Sequence, residues 1–108
     1  MNKIFTKKLE KLRSKIDSAD KKLLSTLAAR FKVVTKIAAL KKKQKVEARQ
    51  NSRWEKVLKD RVSKAKKLKL DQKFCTELFN LIHEESIKFQ NSLNKKVKQK
   101  RKAKKDTK

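Results

Sequence analysis

Three basic residues interrupt the apolar pattern of the N-terminal part of the chain: Arg13, Arg30 and Lys41. Arg30 lies between Leu27 and Val34 in a stripe of apolar residues that recur every three or four positions. A guanidinium on such a face is costly unless an anion pairs with it, and no carboxylate stands at an obvious neighbouring position. We therefore expect Arg30 to bind an anion that comes from outside the chain.

The spacing of these residues predicts which of them can share a ligand. Arg30 and Lys41 are eleven residues apart, close to three whole helical turns, so they project from nearly one face about 16 Å apart. Their long side chains can converge on one small molecule. Arg13 is about 25 Å from Arg30 along a helix and about 100° around it, so one helix cannot bring both to the same ligand. An antiparallel partner helix could supply Arg13 in trans.

Neutral hydrogen-bonding groups complete this inventory. His83, Ser86 and Gln90 form one polar line at helical spacing, while Gln50 and Arg53 stand near the start of another segment. Cationic and hydrogen-bonding groups of this kind can hold a dicarboxylate and stabilise charge separation without proton transfer or a covalent step. One cysteine and one histidine give no nucleophile–base set, and metal-ligand spacings and glycine-rich phosphate loops are missing from the sequence. We expect no cofactor and no metal.

The elements that must position these residues are helices. With no glycine and no proline in 108 residues, and no alternating β pattern, we expect an all-α chain without positive-φ turns. Thr6 is the predicted cap of a first helix that runs to about residue 43. Ser52 and Glu55 predict a capping box for a second helix to about residue 69, with Arg53 at its first position. Asp71 is the predicted cap of a third helix to about residue 93, with Phe74, Leu81 and Phe89 among its inward residues.

The first helix is too long for the other two to cover. At 1.5 Å per residue it is a rod of roughly 50 Å, against about 25 and 33 Å for the second and third helices. A lone chain would leave part of the apolar stripe exposed, whereas an antiparallel second copy would cover it. The sequence therefore predicts a homodimer.

The composition indicates the cellular compartment of the protein and the charge of its tail. The single cysteine, Cys75, excludes an intrachain disulfide, and no segment resembles a membrane span or a signal peptide, so we expect a cytoplasmic protein without membrane contact. The formal net charge is +24, and residues 94–108 hold nine basic residues and one acidic residue. We predict a helical domain over residues 1–93 and, over residues 94–108, a basic tail that is either frayed helix or disordered.

Two blocks of this sequence resemble a known enzyme family. Residues 12–30 read LRSKIDSADKKLLSTLAAR and residues 78–90 read LFNLIHEESIKFQ. They resemble the opening and closing motifs of the all-helical (type II) chorismate mutases, and the spacing between the blocks also fits. The resemblance covers about residues 9–93.

The resemblance implies an intertwined homodimer of three-helix chains whose two sites convert chorismate to prephenate, a step of aromatic amino-acid biosynthesis. By position it implies catalytic roles for Lys41 and Gln90, which would hydrogen-bond the ether oxygen. It implies substrate binding by the residues Arg13 (in trans), Arg30, Arg53, Gln50 and Ser86. Candidate pocket-wall residues are Ile37, Trp54, His83 and Ile87. Lys42 or Lys43 remains an alternative to Lys41 as the ligand.

The sequence departs from the family pattern at two of the pocket-wall positions. Trp54 stands where a glutamate is common, and His83 stands where an aliphatic residue is more usual. The related isochorismate-pyruvate lyases also lack that glutamate, so lyase activity is the alternative reaction. Ser86 favours the mutase, since the lyases compared carry a bulkier aromatic residue there.

A basic helical nucleic-acid-binding protein is the alternative from another functional class. Residues 95–105 would then be an arm that seeks phosphates. The tail has no interleaved aromatic residues and no recognised motif that reads bases, so this alternative has weaker support than the enzyme.

Overall fold

A computed structural model describes the backbone of residues 2–106 and the side chains of residues 2–93. The chain forms three helices, α1 (Lys3–Lys43), α2 (Asn51–Lys67) and α3 (Gln72–Asp106). No strand occurs within residues 2–106. The predicted all-α class with one long helix and two further helices is confirmed.

The chain divides into two compact units, Met1–Val33 and Val34–Lys108. The first unit consists almost entirely of the N-terminal part of α1, and most of its side chains are exposed. Leu12, Ile16 and Leu23 of the apolar stripe have 57, 60 and 63% of their surface accessible. The apolar stripe of this unit is therefore largely uncovered in the single chain.

The first helix begins earlier than the predicted Thr6. Asn2 precedes it, and the Asn2 side-chain Oδ1 accepts a hydrogen bond from the backbone N–H of Ile4 at 2.9 Å. Thr6 lies within the first turns, where its hydroxyl donates to the carbonyl of Asn2 at 3.2 Å. The prediction of a Thr6 cap was wrong because the asparagine four residues earlier already accepts from the first turn.

The second helix also begins before its predicted cap. It starts at Asn51, and Gln50 occupies the N-cap position with an extended backbone and no capping side-chain hydrogen bond. The backbone N–H of Trp54 donates to the carbonyl of Gln50 at 3.0 Å, so Ser52 already lies inside the first turn. The predicted capping box was therefore wrong, and Arg53 is the third helical residue rather than the first.

Two lysines adopt the left-handed conformation that usually favours glycine. Lys45 follows α1 with φ 55°, and Lys69 follows α2 with φ 61°. In each turn the next amide donates to the carbonyl five residues back, at 2.8 Å after Lys45 and 3.0 Å after Lys69. These are Schellman motifs, which close helices by satisfying their last carbonyls. The expectation that a chain without glycine lacks positive-φ turns was wrong, because these hydrogen bonds offset the cost of the conformation.

The second unit is organised around a direct packing of α2 on α3. Asp71 caps α3 as predicted, since its carboxylate accepts from the backbone N–H of Phe74 at 2.8 Å. Cys75 and Ala65 are buried, in agreement with a small core role for the cysteine.

Several residues expected to face inward are exposed in the single chain. They are Phe74, Leu81 and Phe89. The α2–α3 pair offers too little surface to cover these large side chains.

The third helix also continues to Asp106 rather than ending near residue 93. The side chains of the predicted tail lie outside the described residues, and the division at residue 93 stays a prediction.

Candidate active site

The polar line of α3 is buried at two predicted site residues, the substrate-binding Ser86 and the catalytic Gln90. Ser86 is 5% exposed and Gln90 is 6% exposed. They are four residues apart on one helix face, so their side chains are neighbours. The hydroxyl of Ser86 donates to the carbonyl of Ile82 at 2.9 Å, which fixes its rotamer. Ile87, a predicted wall residue, is buried beside them.

Gln90 presents an unused acceptor in this buried position. Its Oε1 atom is buried and has no hydrogen-bond partner among the residues that the structure describes. Buried side-chain amides almost always have partners, because an unmet hydrogen bond costs about 1–3 kcal/mol. A half-turn about the last side-chain bond exchanges oxygen and nitrogen, so this amide can offer either an acceptor or a donor. The group is suited to a ligand that completes its hydrogen bonding.

Lys41 lies on an inward stripe of the second unit. Val34, Ala38 and Lys41 follow one another at helical spacing, and the first two are buried. The Lys41 ammonium donates to the carbonyl of Ala48 at 2.7 Å. Desolvation lowers the pKa of Lys41 from its ordinary value. An ammonium has three donors, and the contact with Ala48 uses one of them.

The predicted ligands at the start of α2 are accessible. Gln50 and Arg53 are both exposed. Within residues 2–93, the Arg53 guanidinium makes no hydrogen bond or ion pair. Arg53 therefore has its full donor set available to an anion that arrives from solvent.

Trp54 and His83, the two departures from the family pattern, contact each other. Their rings stack with centroids 4.0 Å apart and planes 5° apart. The indole N–H of Trp54 also donates to Oδ1 of Asn80 at 3.1 Å. These contacts make Trp54 a packing anchor between α2 and α3, while its role as a pocket wall stays a prediction.

The remaining predicted residues differ in exposure. Arg13 is exposed and Arg30 is half-buried, both in the first unit, while Ile37 of the second unit is 41% exposed. Exposure of Arg13 is compatible with a contact to another chain. The convergence of Arg30 and Lys41 on one ligand, and the donation of Arg13 in trans, stay predictions.

One polar contact of the second unit was not anticipated from the sequence. Arg49 and Glu84 form a two-point pair, with Nη1–Oε1 at 2.8 Å and Nη2–Oε2 at 2.9 Å. Its hydrogen bonds raise the pKa of Arg49 and lower that of Glu84. The partners are 35 positions apart in the sequence. No local pattern marks such a pair, although Arg49 directly precedes the predicted ligand Gln50.

A groove of about 610 Å³ lies elsewhere on the α2–α3 pair. Its lining comprises Ser52, Glu55, Lys56, Leu58, Lys59, Val62 and Thr76. None of these is a predicted site residue. We therefore place the candidate site at the buried polar line, whose residues can bind a ligand by hydrogen bonds, and not at this open groove.

Neither a metal-binding cluster nor a membrane-spanning helix occurs in the described part of the chain. No three or more His, Cys, Asp or Glu residues there are grouped so that they could hold a metal ion. No helix in that part of the chain combines the length and apolar character of a membrane span.

Comparison with known proteins identifies the family. The family described as chorismate mutase type II matches residues 12–91. A curated relative, the bifunctional chorismate mutase/prephenate dehydratase of Buchnera aphidicola subsp. Acyrthosiphon pisum (strain APS), is 38% identical over 84 residues. The match covers 78% of this chain and 22% of the relative, so the chain spans about a fifth of that protein. The family match extends over most of the chain and includes both motif blocks, and the chain belongs to the chorismate mutase type II family.

Proposed function

We propose that this protein is a chorismate mutase, which converts chorismate to prephenate by a pericyclic rearrangement without a cofactor or a covalent intermediate. Family membership supports the reaction. The observation that carries the proposal to specific residues is the amide of Gln90, buried next to Ser86 on α3 with its Oε1 unpartnered among the described residues. A half-turn of this amide places its NH2 donor where the oxygen stands. A buried amide of this kind is suited to complete its hydrogen bonds with a substrate.

Catalysis follows from where charge develops in the reaction. As the C–O bond of chorismate breaks, negative charge grows on the ether oxygen. The Lys41 ammonium and the Gln90 amide donate hydrogen bonds to that oxygen. Because Lys41 is partly desolvated and held by Ala48, its charge acts in a preorganised position. These donors bind the transition state more strongly than the ground state, which lowers the barrier.

The substrate is held in its reactive conformation by its two carboxylates and its hydroxyl group. Arg30 and Arg53 of one chain and Arg13 of the partner chain bind the carboxylates. Ser86 contacts the ring end and Gln50 the hydroxyl region. Fixing a flexible molecule at several points removes much of the entropic part of the barrier.

The active form is an antiparallel, intertwined homodimer. The exposed apolar residues Leu12, Ile16 and Leu23 of α1, with Phe74 and Leu81 of α3, need a cover that one chain does not supply. A second copy offers the same helical stripe, and pairing of the two stripes removes both from water. This arrangement also gives Arg13 a site to act in.

The cytoplasm is the proposed location, and aromatic amino-acid biosynthesis is the proposed pathway. The single cysteine, Cys75, is a thiol within the core, which is compatible with a reducing compartment. Chorismate carries two carboxylates, and a net charge of +24 favours its approach.

The test is incubation of the purified protein with chorismate and, separately, with isochorismate. We expect prephenate from chorismate and little pyruvate from isochorismate. Arg30→Ala should abolish turnover with unchanged helical circular dichroism, while the exposed control Lys32→Ala should keep it. Pyruvate release from isochorismate without prephenate formation would replace the mutase with the lyase, and an active Arg30→Ala variant would overturn the site.

A further inference from the structure

The connection between α1 and α2 (residues 44–50) is fastened at its C-terminal end by two side-chain contacts. The ammonium of Lys41 binds the carbonyl of Ala48 at 2.7 Å. The next residue, Arg49, donates to Glu84 of α3 through both terminal guanidinium nitrogens, Nη1 and Nη2. Gln50 follows directly as the N-cap of α2. Three consecutive residues therefore join Lys41, α3 and the start of α2.

The Arg49–Glu84 pair has the geometry of an orienting contact. Two parallel N–H···O bonds fix the plane of the guanidinium against the carboxylate, which a single bond does not. The side chains are 44% and 51% exposed, and ion pairs this open to solvent contribute little to stability. The hydrogen bonds from Arg49 are the largest cause of the lowered pKa of Glu84, so the pair stays charged around neutral pH. The main effect of the pair is therefore to fix the position of Arg49 on α3, and it contributes little to the stability of the fold.

We infer that Arg49 and Glu84 are a positioning pair, which holds Ala48 against the Lys41 ammonium and sets the place of Gln50 at the mouth of the site. The inference rests on the proposed function for its effect on turnover. If Arg49 is released from α3, the carbonyl of Ala48 loses its fixed place and water reaches Lys41. The Lys41 ammonium then points less accurately at the breaking bond, and a small misplacement of a catalytic group costs much of the rate.

A measurement of the Lys41 pKa distinguishes loss of positioning from the loss of charge that a substitution at Glu84 also causes. Glu84→Gln removes a negative charge, which by itself would lower the pKa of Lys41. Release of the connection instead solvates Lys41 and raises its pKa. We therefore expect Glu84→Gln and Arg49→Ala both to raise it. The measurement is a pH titration of ¹³C-labelled lysine by NMR without substrate, with the Lys41 signal assigned as the one lost in Lys41→Arg.

Turnover provides the second readout. Arg49→Ala and Glu84→Gln should each lower kcat on chorismate by about tenfold, and the double variant should be no worse than either single variant. Lys64→Gln is the matched control, because it removes the exposed Lys64–Asp60 pair of α2 without touching the connection or Glu84. It should change kcat by less than about twofold.

Each outcome decides one proposal. A Lys41 pKa that falls or stays constant in Glu84→Gln, or additive losses of kcat in the double variant, would overturn the positioning pair. A wild-type protein that turns over no chorismate would overturn the proposed function, while the titration would still decide whether the pair positions Lys41.

Discussion

The indole of Trp54 stacks on the imidazole of His83 with ring centroids 4.0 Å apart. These are the two predicted wall positions at which the sequence departs from the family pattern, and the structure joins them in one contact. A flat aromatic partner at position 83 lets an indole lie where the family commonly has a glutamate. The pair replaces a polar side chain with a packed contact between α2 and α3.

The Trp54 contact predicts a measurable loss of stability. Trp54→Ala removes the stack on His83 and the hydrogen bond to Asn80. Because Trp54 is only half-buried, we expect the free energy of unfolding to fall by about 2 kcal/mol, less than for a fully buried aromatic residue. Urea denaturation at fixed protein concentration measures it. The exposed control on the same helix, Lys59→Ala, should change it by less than about 0.5 kcal/mol, and an equal effect of both substitutions would refute the anchor role.

The sequence predicted the polar line of α3, although not its burial, better than the contacts that surround it. Ser86 and Gln90 are four residues apart on one helix, so their shared face follows from helical periodicity alone. The Arg49–Glu84 pair depends on how the connection folds back onto α3, and no periodicity encodes that path. Tertiary contacts between distant segments could therefore not be predicted from local sequence patterns.

The helix boundaries show a similar limit. Asp71 was identified as a cap correctly, whereas Ser52 was not, although both residue types are favoured at that position. A capping pattern states that a helix can begin, but the adjoining turn decides whether it begins one or two residues earlier. The exposed Phe74 and Leu81 were predicted inward because the pattern marks an apolar face without stating which chain covers it.

Lys41 predicts the alkaline limit of activity. The proposed role of Lys41 requires a charged ammonium, and burial lowers its pKa. The value of kcat/KM should therefore fall as pH rises through a value below that of an ordinary lysine. Lys41→Gln should lower kcat/KM by about 10²–10³-fold near neutral pH and remove that limit. Lys43→Gln is the exposed neighbouring control and should leave both unchanged. A pH profile of chorismate turnover measures both kcat/KM and its alkaline limit. A large loss of kcat/KM in Lys43→Gln, together with an active Lys41→Gln, would assign the role to Lys43.

The two left-handed lysines predict stabilising substitutions. Lys45→Gly and Lys69→Gly relieve the side-chain clash of a positive φ, although glycine also loses more entropy on folding. We expect each to raise the free energy of unfolding by about 0.5–1 kcal/mol in urea denaturation. Lys59→Gly, inside α2, is the control and should lower it by about 1 kcal/mol. Destabilisation by all three would show that the turns do not favour glycine.

Removal of the basic C-terminal segment should affect nucleic-acid binding but not chorismate turnover. Removal of residues 94–108 deletes nine basic residues and none of the proposed ligands. Chorismate turnover should stay within about twofold of the full chain, while any salt-sensitive binding to DNA or RNA should weaken. Turnover assays and binding titrations at two salt concentrations measure these effects. Loss of turnover on truncation would contradict a dispensable tail.

The central claim is chorismate turnover at a site built from two chains, and mixing two inactive variants tests it most directly. Arg13→Ala and Arg30→Ala chains are each inactive alone on this account, since every homodimeric site lacks one arginine. After subunit exchange, each heterodimer has one site with both arginines, and random pairing should restore about one quarter of the wild-type activity. No recovery of chorismate turnover, with subunit exchange demonstrated by differently tagged chains, would contradict the shared site.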